Sequence, residues 1–456
     1  LISRMCRSEE TAFGGFLYLG PIRASEVASV ADPSVLAGVR WPWKVASGIA
    51  IGIVAVVLLW GAVPAPHAAP PVPVAALFGP GIVAGGATPT TLSSPSIQTG
   101  EDFGNSVATS GPYVVVGAPH ETALGDAQAG HAWIFDATSG TVTKLTSPHT
   151  QTGGHFGFSV AVSGTTVLVG APLETASGSS GAGRAYTFSA VTGDLIANYT
   201  SPSIQSDEGF GFSVAISGTT AVIGAPFESA SGLSHAGHAW IFNTSTGTST
   251  KLTSYTPQTG GEFGISVAVD ESTVVVGAPA ETSAGFSQAG NVYTFDSSSG
   301  ALRAAFGSTN AEVQGAFGLS VAIHGSTVLV GAPGEAVGTN VAAGHAYTFN
   351  AISGLQITEY TSPSVETNES FGYSVAINGT DLLVGAPFET ALGNSNGGHV
   401  WVIVTKTGAA THWTSPNVQT SGWFGWSVAT DKTTTVIGAP GETASGDASA
   451  GHAYVY

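Results

Sequence analysis

Cysteine, methionine and basic residues are the scarce components of this 456-residue chain: one Cys, one Met, and eleven Lys plus Arg. With Cys6 alone, neither an intramolecular disulfide framework nor a Cys-based zinc site can form. Eleven basic residues against 29 acidic ones give a formal charge of −18. That balance excludes a sequence-independent nucleic-acid binder, because phosphate binding needs Lys/Arg density. Charged residues total 9%, against roughly 25% in ordinary soluble proteins. So little charge is compatible with disorder, but 43% hydrophobic residues argue for a large buried core. What abounds is glycine, at 63 residues, with 24 prolines.

Charge is also unevenly placed. Arg4, Arg7, Arg23, Arg40 and Lys44 precede residue 45, and the next basic residue is Lys144. Val45 to Val63, VASGIAIGIVAVVLLWGAV, runs without a charge. At ~1.5 Å per residue, such a helix crosses most of a ~30 Å hydrocarbon core. Trp41, Trp43 and Trp60 stand near its ends, where amphipathic rings favour the interface. The expectation is one transmembrane helix or signal anchor at 45–63, with residues 1–44 cytosolic and the remainder extracellular. The competing reading is a cleaved signal peptide and a secreted protein, although its apolar core usually spans only ~7–15 residues. Residues 64–89 hold seven prolines among many alanines, the composition of an extended linker.

Repetition dominates residues 90–456. Phe-Gly begins at Phe103, Phe156, Phe210, Phe263, Phe317, Phe371 and Phe424. Gly-Ala-Pro begins at Gly117, Gly170, Gly224, Gly277, Gly331, Gly385 and Gly438, always 14 residues later. Both series step by 53 or 54 residues. Each copy reads as four short strands. In FGFSVAVS, the large Phe156, Phe158, Val160 and Val162 alternate with Gly157, Ser159 and Ala161, a period of two with one small face. A Ser163-Gly164, His324-Gly325 or Asn378-Gly379 turn leads into TTVLVGAP or its equivalent. A polar loop, a strand such as HAWIF or RAYTF, and a last strand such as TKLTSP follow.

Four antiparallel strands in ~53 residues make one blade of a β-propeller. The expected fold is all-β: a seven-bladed propeller of four-stranded antiparallel blades, preceded by the transmembrane helix. Its small first-strand face is expected to fit the crowded axis. The seventh copy stops after HAYVY, lacking its fourth strand, and TTLSSP at 90–95 matches the missing piece. The N-terminal segment is therefore expected to complete the last blade and close the ring.

The paired FG…GAP motifs at these positions resemble the FG-GAP repeat of the integrin alpha-chain propeller. The resemblance implies that the 2–3 loops and 4–1 connections share one partner-binding face. It departs from that family in its hairpins. Where several integrin repeats carry a D-x-D-x-D-G calcium loop, this chain has VSGTTVLV, VDESTVVV or INGTDLLV, with too few clustered oxygens. No calcium, other metal or cofactor is expected.

Glutamate follows GAP by one residue in every copy: Glu121, Glu174, Glu228, Glu281, Glu335, Glu389 and Glu442. Ten residues later stand His131, Arg184, His238, Asn291, His345, His399 and His452. A ring of seven carboxylates could attract a cation or basic ligand; alternatively, each Glu accepts backbone N–H groups of its own loop, with His as donor. After Phe-Gly come Asn105, Phe158, Phe212, Ile265, Leu319, Tyr373 and Trp426, with Trp423 just before the last pair. Near the mouth of the channel, Phe158, Phe212, Tyr373, Trp423 and Trp426 are candidates for a ligand-holding aromatic rim, against inter-blade packing. Asp126, Asp207, Glu208 and Asp447 read as solvated loop charges, and Arg303 marks the fourth-to-fifth connection, which lacks Thr-Ser-Pro. Sequons begin at Asn198, Asn243, Asn368 and Asn378.

No catalytic motif is present: no G-x-S-x-G, H-E-x-x-H or phosphate loop. The expected function is a non-catalytic, extracellular binding or adhesion module whose partner is a protein or a glycan, tethered to the membrane through 45–63. A lectin-like propeller with several weak sugar sites is one alternative; an enzyme with a pocket in one atypical blade is the other.

Overall fold

The structure, a computed structural model, describes residues 88–456. The expected transmembrane helix lies outside these residues, and no helix long and apolar enough to cross a membrane occurs among them. Twenty-eight strands form seven four-stranded antiparallel sheets. In blade 1 these are β2 (Ser106–Ser110), β3 (Tyr113–Ala118), β4 (His131–Asp136) and β5 (Val142–Leu145). In blade 2 they are β6 (Ser159–Ser163), β7 (Thr166–Ala171), β8 (Arg184–Ser189) and β9 (Leu195–Tyr199). The same plan repeats through blade 6. Blade 7 combines β26 (Ser427–Thr430), β27 (Thr435–Ala439) and β28 (His452–Val455) with β1 (Thr90–Leu92), whose Thr90 pairs with Val455. The ring is thus closed by the N-terminal strand.

The core consists of seven slabs between blades. In β7, Val167 and Val169 pack with Val115, Ile134 and Leu145 of blade 1, while Leu168 packs with Val214, Ile223 and Trp240 of blade 3. A strand buried on both sides reads as a continuous apolar run, as TVLVGA does. The first strands divide their faces by size: Val160 lies against blade 1, and Ala161 against blade 3. The small side chains therefore meet the following blade, and not the axis as the sequence had led us to expect.

Phe-Gly also differs from expectation, forming a turn ahead of the first strand. Phe156 is fully buried and meets Phe188 edge-to-face at 5.8 Å, a geometry worth about 0.5–1.5 kcal/mol beyond burial. Gly157 has φ +90 and its N–H donates to the Gly170 carbonyl of its own GAP. Its carbonyl accepts the Ser106 hydroxyl of blade 1 at 2.9 Å and abuts Gly117 of that blade's GAP. The two motifs are therefore the two halves of an inter-blade joint. It recurs seven times at 2.7–2.9 Å, the last from Ser427 to Gly104 across the closure.

Candidate ligand-binding face

The 4–1 connections and 2–3 loops lie together on one face. The connection entering blade 2 runs along the loop of blade 1, with the amides of Gly153, His155 and Phe156 donating to the carbonyls of Ala127, Gln128 and Ala129. It is fastened to its own blade by Gln151, whose side chain accepts the Thr175 N–H at 2.9 Å and donates to the Leu173 carbonyl. Gln98, Gln205, Gln258 and Gln419 repeat this clamp, and Glu312 and Glu366 supply its acceptor in blades 5 and 6. The sequence reading missed these residues, although Gln precedes Thr or Ser in the SPxxQT-like stretches.

The seven GAP-loop glutamates do not form a solvent-facing ring. Glu121, Glu174, Glu228, Glu281, Glu335 and Glu442 are 0% exposed and Glu389 is 1%. Each sits under its loop and accepts from the aromatic residue 12 positions on: an indole N–H from Trp133, Trp240 or Trp401, or a hydroxyl from Tyr186, Tyr293, Tyr347 or Tyr454. Serine hydroxyls add donors in four blades: Ser94, Ser203, Ser364 and Ser415. His131 and His452 bond Glu121 and Glu442 at 2.5 and 3.0 Å. His238, His345 and His399 stand 3.2–3.3 Å from their glutamates without hydrogen-bond alignment. Burial raises Glu174 and Glu335 to about 7, and also raises Glu281. Such enclosed acids are fixtures of the loops, held by side chains and not by the backbone amides anticipated from sequence.

Two other sequence readings change. Glu208 is fully buried, as are Glu101 and Glu369 at the same position of other blades. Arg303 lies in the outer strand Leu302–Phe306, bonding Asp296 at 2.7 Å and also Thr273. Of the sequons, Asn198 and Asn368 are exposed, whereas Asn243 and Asn378 are half-buried. The Asn243 side-chain carbonyl caps the Ser245 and Thr246 amides, and the Asn378 amide donates to the Asp431 carbonyl.

The residues following Phe-Gly are half-buried and touch between neighbouring blades, at 4.8 Å for Phe158–Phe212 and 4.7 Å for Tyr373–Trp426. Trp423 joins Trp426 at 5.5 Å. Phe388 meets Tyr373 and Trp426 edge-on, and Phe227 meets Phe212 likewise. Phe227 and Phe388, both directly after GAP, were missed, though each lies in a copy with an aromatic after Phe-Gly, Phe212 and Tyr373 respectively. Enclosure pushes the Tyr373 hydroxyl up. At the blade 1–2 position a polar cluster replaces the rings: His120 bonds Asp102 at 2.7 Å and meets His155 edge-on at 4.8 Å. Burial, then the His120 charge, lowers His155 to about 4. Among the described residues no group of three or more His, Cys, Asp and Glu is placed to hold a metal ion.

This architecture defines a seven-bladed β-propeller built on one repeated joint. The family model for the FG-GAP repeat matches residues 91–135, 140–188, 199–242, 247–295, 308–349, 356–403 and 411–456. The chain belongs to the FG-GAP repeat family, and its propeller resembles that of integrin alpha chains. The FG-GAP propeller fold points to a binding module, in a family that is typically non-enzymatic. No curated protein matches the sequence. A chain of the mitotic checkpoint complex aligns over 81% of this chain and 95% of its own, with 13% identity and a TM-score of 0.50. The computationally designed protein Ika8 aligns over 80% and 85%, with 16% identity and a TM-score of 0.47. At such identity the checkpoint likeness is one of fold alone.

Proposed function

We propose that the propeller is a non-catalytic binding or adhesion module, displayed outside the cell and tethered through residues 45–63. It holds a protein partner on the face of GAP loops and 4–1 connections. The observation that carries this reading is the four-ring cluster of Tyr373, Phe388, Trp423 and Trp426, half-buried and shared by blades 6 and 7. Large aromatics on a rigid frame are the usual anchors of an interface. The loops beneath supply that frame through the Gln clamps and buried glutamates. Ile265 and Leu319 occupy the equivalent positions in blades 4 and 5, so the anchor is off-centre on the ring.

The test replaces Trp423 and Trp426 together by alanine and measures binding to a panel of extracellular proteins and glycans. Loss of about 2 kcal/mol per anchor, about 30-fold in Kd, is expected on a protein partner, with thermal unfolding nearly unchanged. An equal loss of folding would return these rings to a packing role. Multivalent binding to a glycan array alone would identify a lectin instead. Membrane fractionation with N-terminal sequencing of the mature chain tests the tether.

A further inference from the structure

Glu101, Glu208 and Glu369 stand two residues before Phe-Gly in blades 1, 3 and 6, where the other four blades have Gly154, Gly261, Gly315 and Gly422. Those glycines show how close the extra side chain comes to the first. A Cβ on any of them would lie 3.0–3.1 Å from the Cγ of the GAP-loop glutamate in the same blade. Three blades therefore enclose two glutamates where four enclose one. All six carboxyls, in the pairs Glu101–Glu121, Glu208–Glu228 and Glu369–Glu389, are at most 1% exposed.

Their hydrogen bonding is lopsided. Glu121, Glu228 and Glu389 are each served by a serine hydroxyl and an indole N–H. The Oε2 atoms of Glu101, Glu208 and Glu369 accept the amides of Gln98, Gln205 and Glu366 at 2.8 Å. Their Oε1 atoms are buried with no donor. An ionised carboxylate with a bare buried oxygen beside a second carboxylate is costly. A neutral carboxyl removes the difficulty, because that oxygen then carries a proton to donate. In blade 1, Glu101 and Glu121 lie within hydrogen-bonding reach of each other.

The surroundings favour the proton. Glu101 faces Glu121 and Asp447, Glu208 faces Glu228, and Glu369 faces Glu389 and Glu366. The histidines nearby, His131, His238 and His399, lie against the GAP-loop partner of each pair. Burial raises Glu101 to about 9, and Glu208 and Glu369 to about 8, with like charge adding to it.

We propose that blades 1, 3 and 6 each hold one proton between their two buried glutamates, and that this proton latches the 4–1 connection to the GAP loop. On opening at neutral or higher pH, one proton leaves each pair for solvent and two carboxylates remain. Since the folded form holds the proton more tightly than the unfolded form, the latch contributes fully below the ordinary glutamate value of 4.5 and is lost as pH rises through 8 to 9. The inference stands independently of any ligand on the face.

The test counts protons released on unfolding the full chain at about pH 7, by calorimetry in two buffers of different ionisation enthalpy. Glu101→Gln, Glu208→Gln and Glu369→Gln combined keep a donor in place of the acid proton. This triple variant is expected to release three fewer protons than the wild type. In the wild type, hydrogen-exchange protection of the Thr122, Ser229 and Thr390 amides is expected to fall between about pH 7 and about pH 9.5, while Thr443 of blade 7, bonded to Gln419 in a blade with a single buried glutamate, keeps its protection. A difference of less than one proton, or equal loss of protection at Thr443, overturns the latch. Should the triple variant not fold, Glu208→Gln alone is expected to release one proton fewer, and unchanged release overturns it.

Discussion

Replacing Gly117 by alanine puts the inter-blade joint under direct strain. The new Cβ would stand 1.9 Å from the Gly157 carbonyl oxygen, 3.0 Å from its carbon and 2.4 Å from the Ser106 hydroxyl. Ordinary contact begins at 3.4 Å, so blades 1 and 2 must part by about 1.5 Å, or the Ser106–Gly157 bond must break. Overpacking between fixed backbones costs about 1–3 kcal/mol, and loss of the hydrogen bond adds about 1. Reduced freedom of the unfolded chain returns about 0.4–1 kcal/mol, leaving a net loss of roughly 1–3.5 kcal/mol. Gly125→Ala is the control: nothing lies within 4 Å of its Cβ, and its φ of +95 is the sole obstacle, worth about 1–2 kcal/mol. Urea denaturation followed by tryptophan fluorescence compares the two midpoints. If Gly117→Ala is no more harmful than Gly125→Ala, the joint is not the tight contact described.

Two shorter predictions accompany it. Ser427→Ala and Ser159→Ala, at the seam and within the ring, should each cost about 1 kcal/mol in equilibrium denaturation, since their bonds to Gly104 and Gly211 are both 2.9 Å long; a much smaller cost at Ser427 would mean an open seam. Expressed through a glycosylating secretory pathway, the chain should carry sugar at Asn198 and Asn368 but not at Asn378, whose amide is committed to Asp431. Peptide mass spectrometry decides it, and full occupancy at Asn378 would refute the bond.

The blade plan was legible because Phe-Gly and Gly-Ala-Pro keep one spacing through seven copies, and because TTLSSP was visibly a displaced fourth strand. What the two motifs do was not legible. When every copy carries the same residues, periodicity cannot say whether Gly117 meets the Phe-Gly of its own copy or of the next; it meets both, its own through the Gly104 N–H and the next through the Gly157 carbonyl. The glutamates stayed open between a surface ring and fixtures of their loops because an acid beside a polar loop ordinarily faces water. The overlooked signal was the residue 12 positions on, always Trp or Tyr and so always a donor. Glu208 was hidden for another reason: its meaning lies in a pairing with Glu228 that four of the seven copies lack. The residues after Phe-Gly stood out because they vary between copies, and Phe227 and Phe388 were missed by examining only one side of the ring contacts.

The closed ring also makes the number of repeats a geometric quantity. Each joint turns the chain by about one-seventh of a revolution, and β1 meets β28 only when those turns add to a full circle. Near-identical neighbouring copies are easily duplicated or deleted at the level of the gene. An open solenoid absorbs such events by growing or shrinking at its ends. Here an extra or missing copy would leave Gly104 without Ser427 and strand β1 without its sheet, unless all the joints changed angle together. The seam thus acts as a counter that accepts whole rings and rejects partial ones.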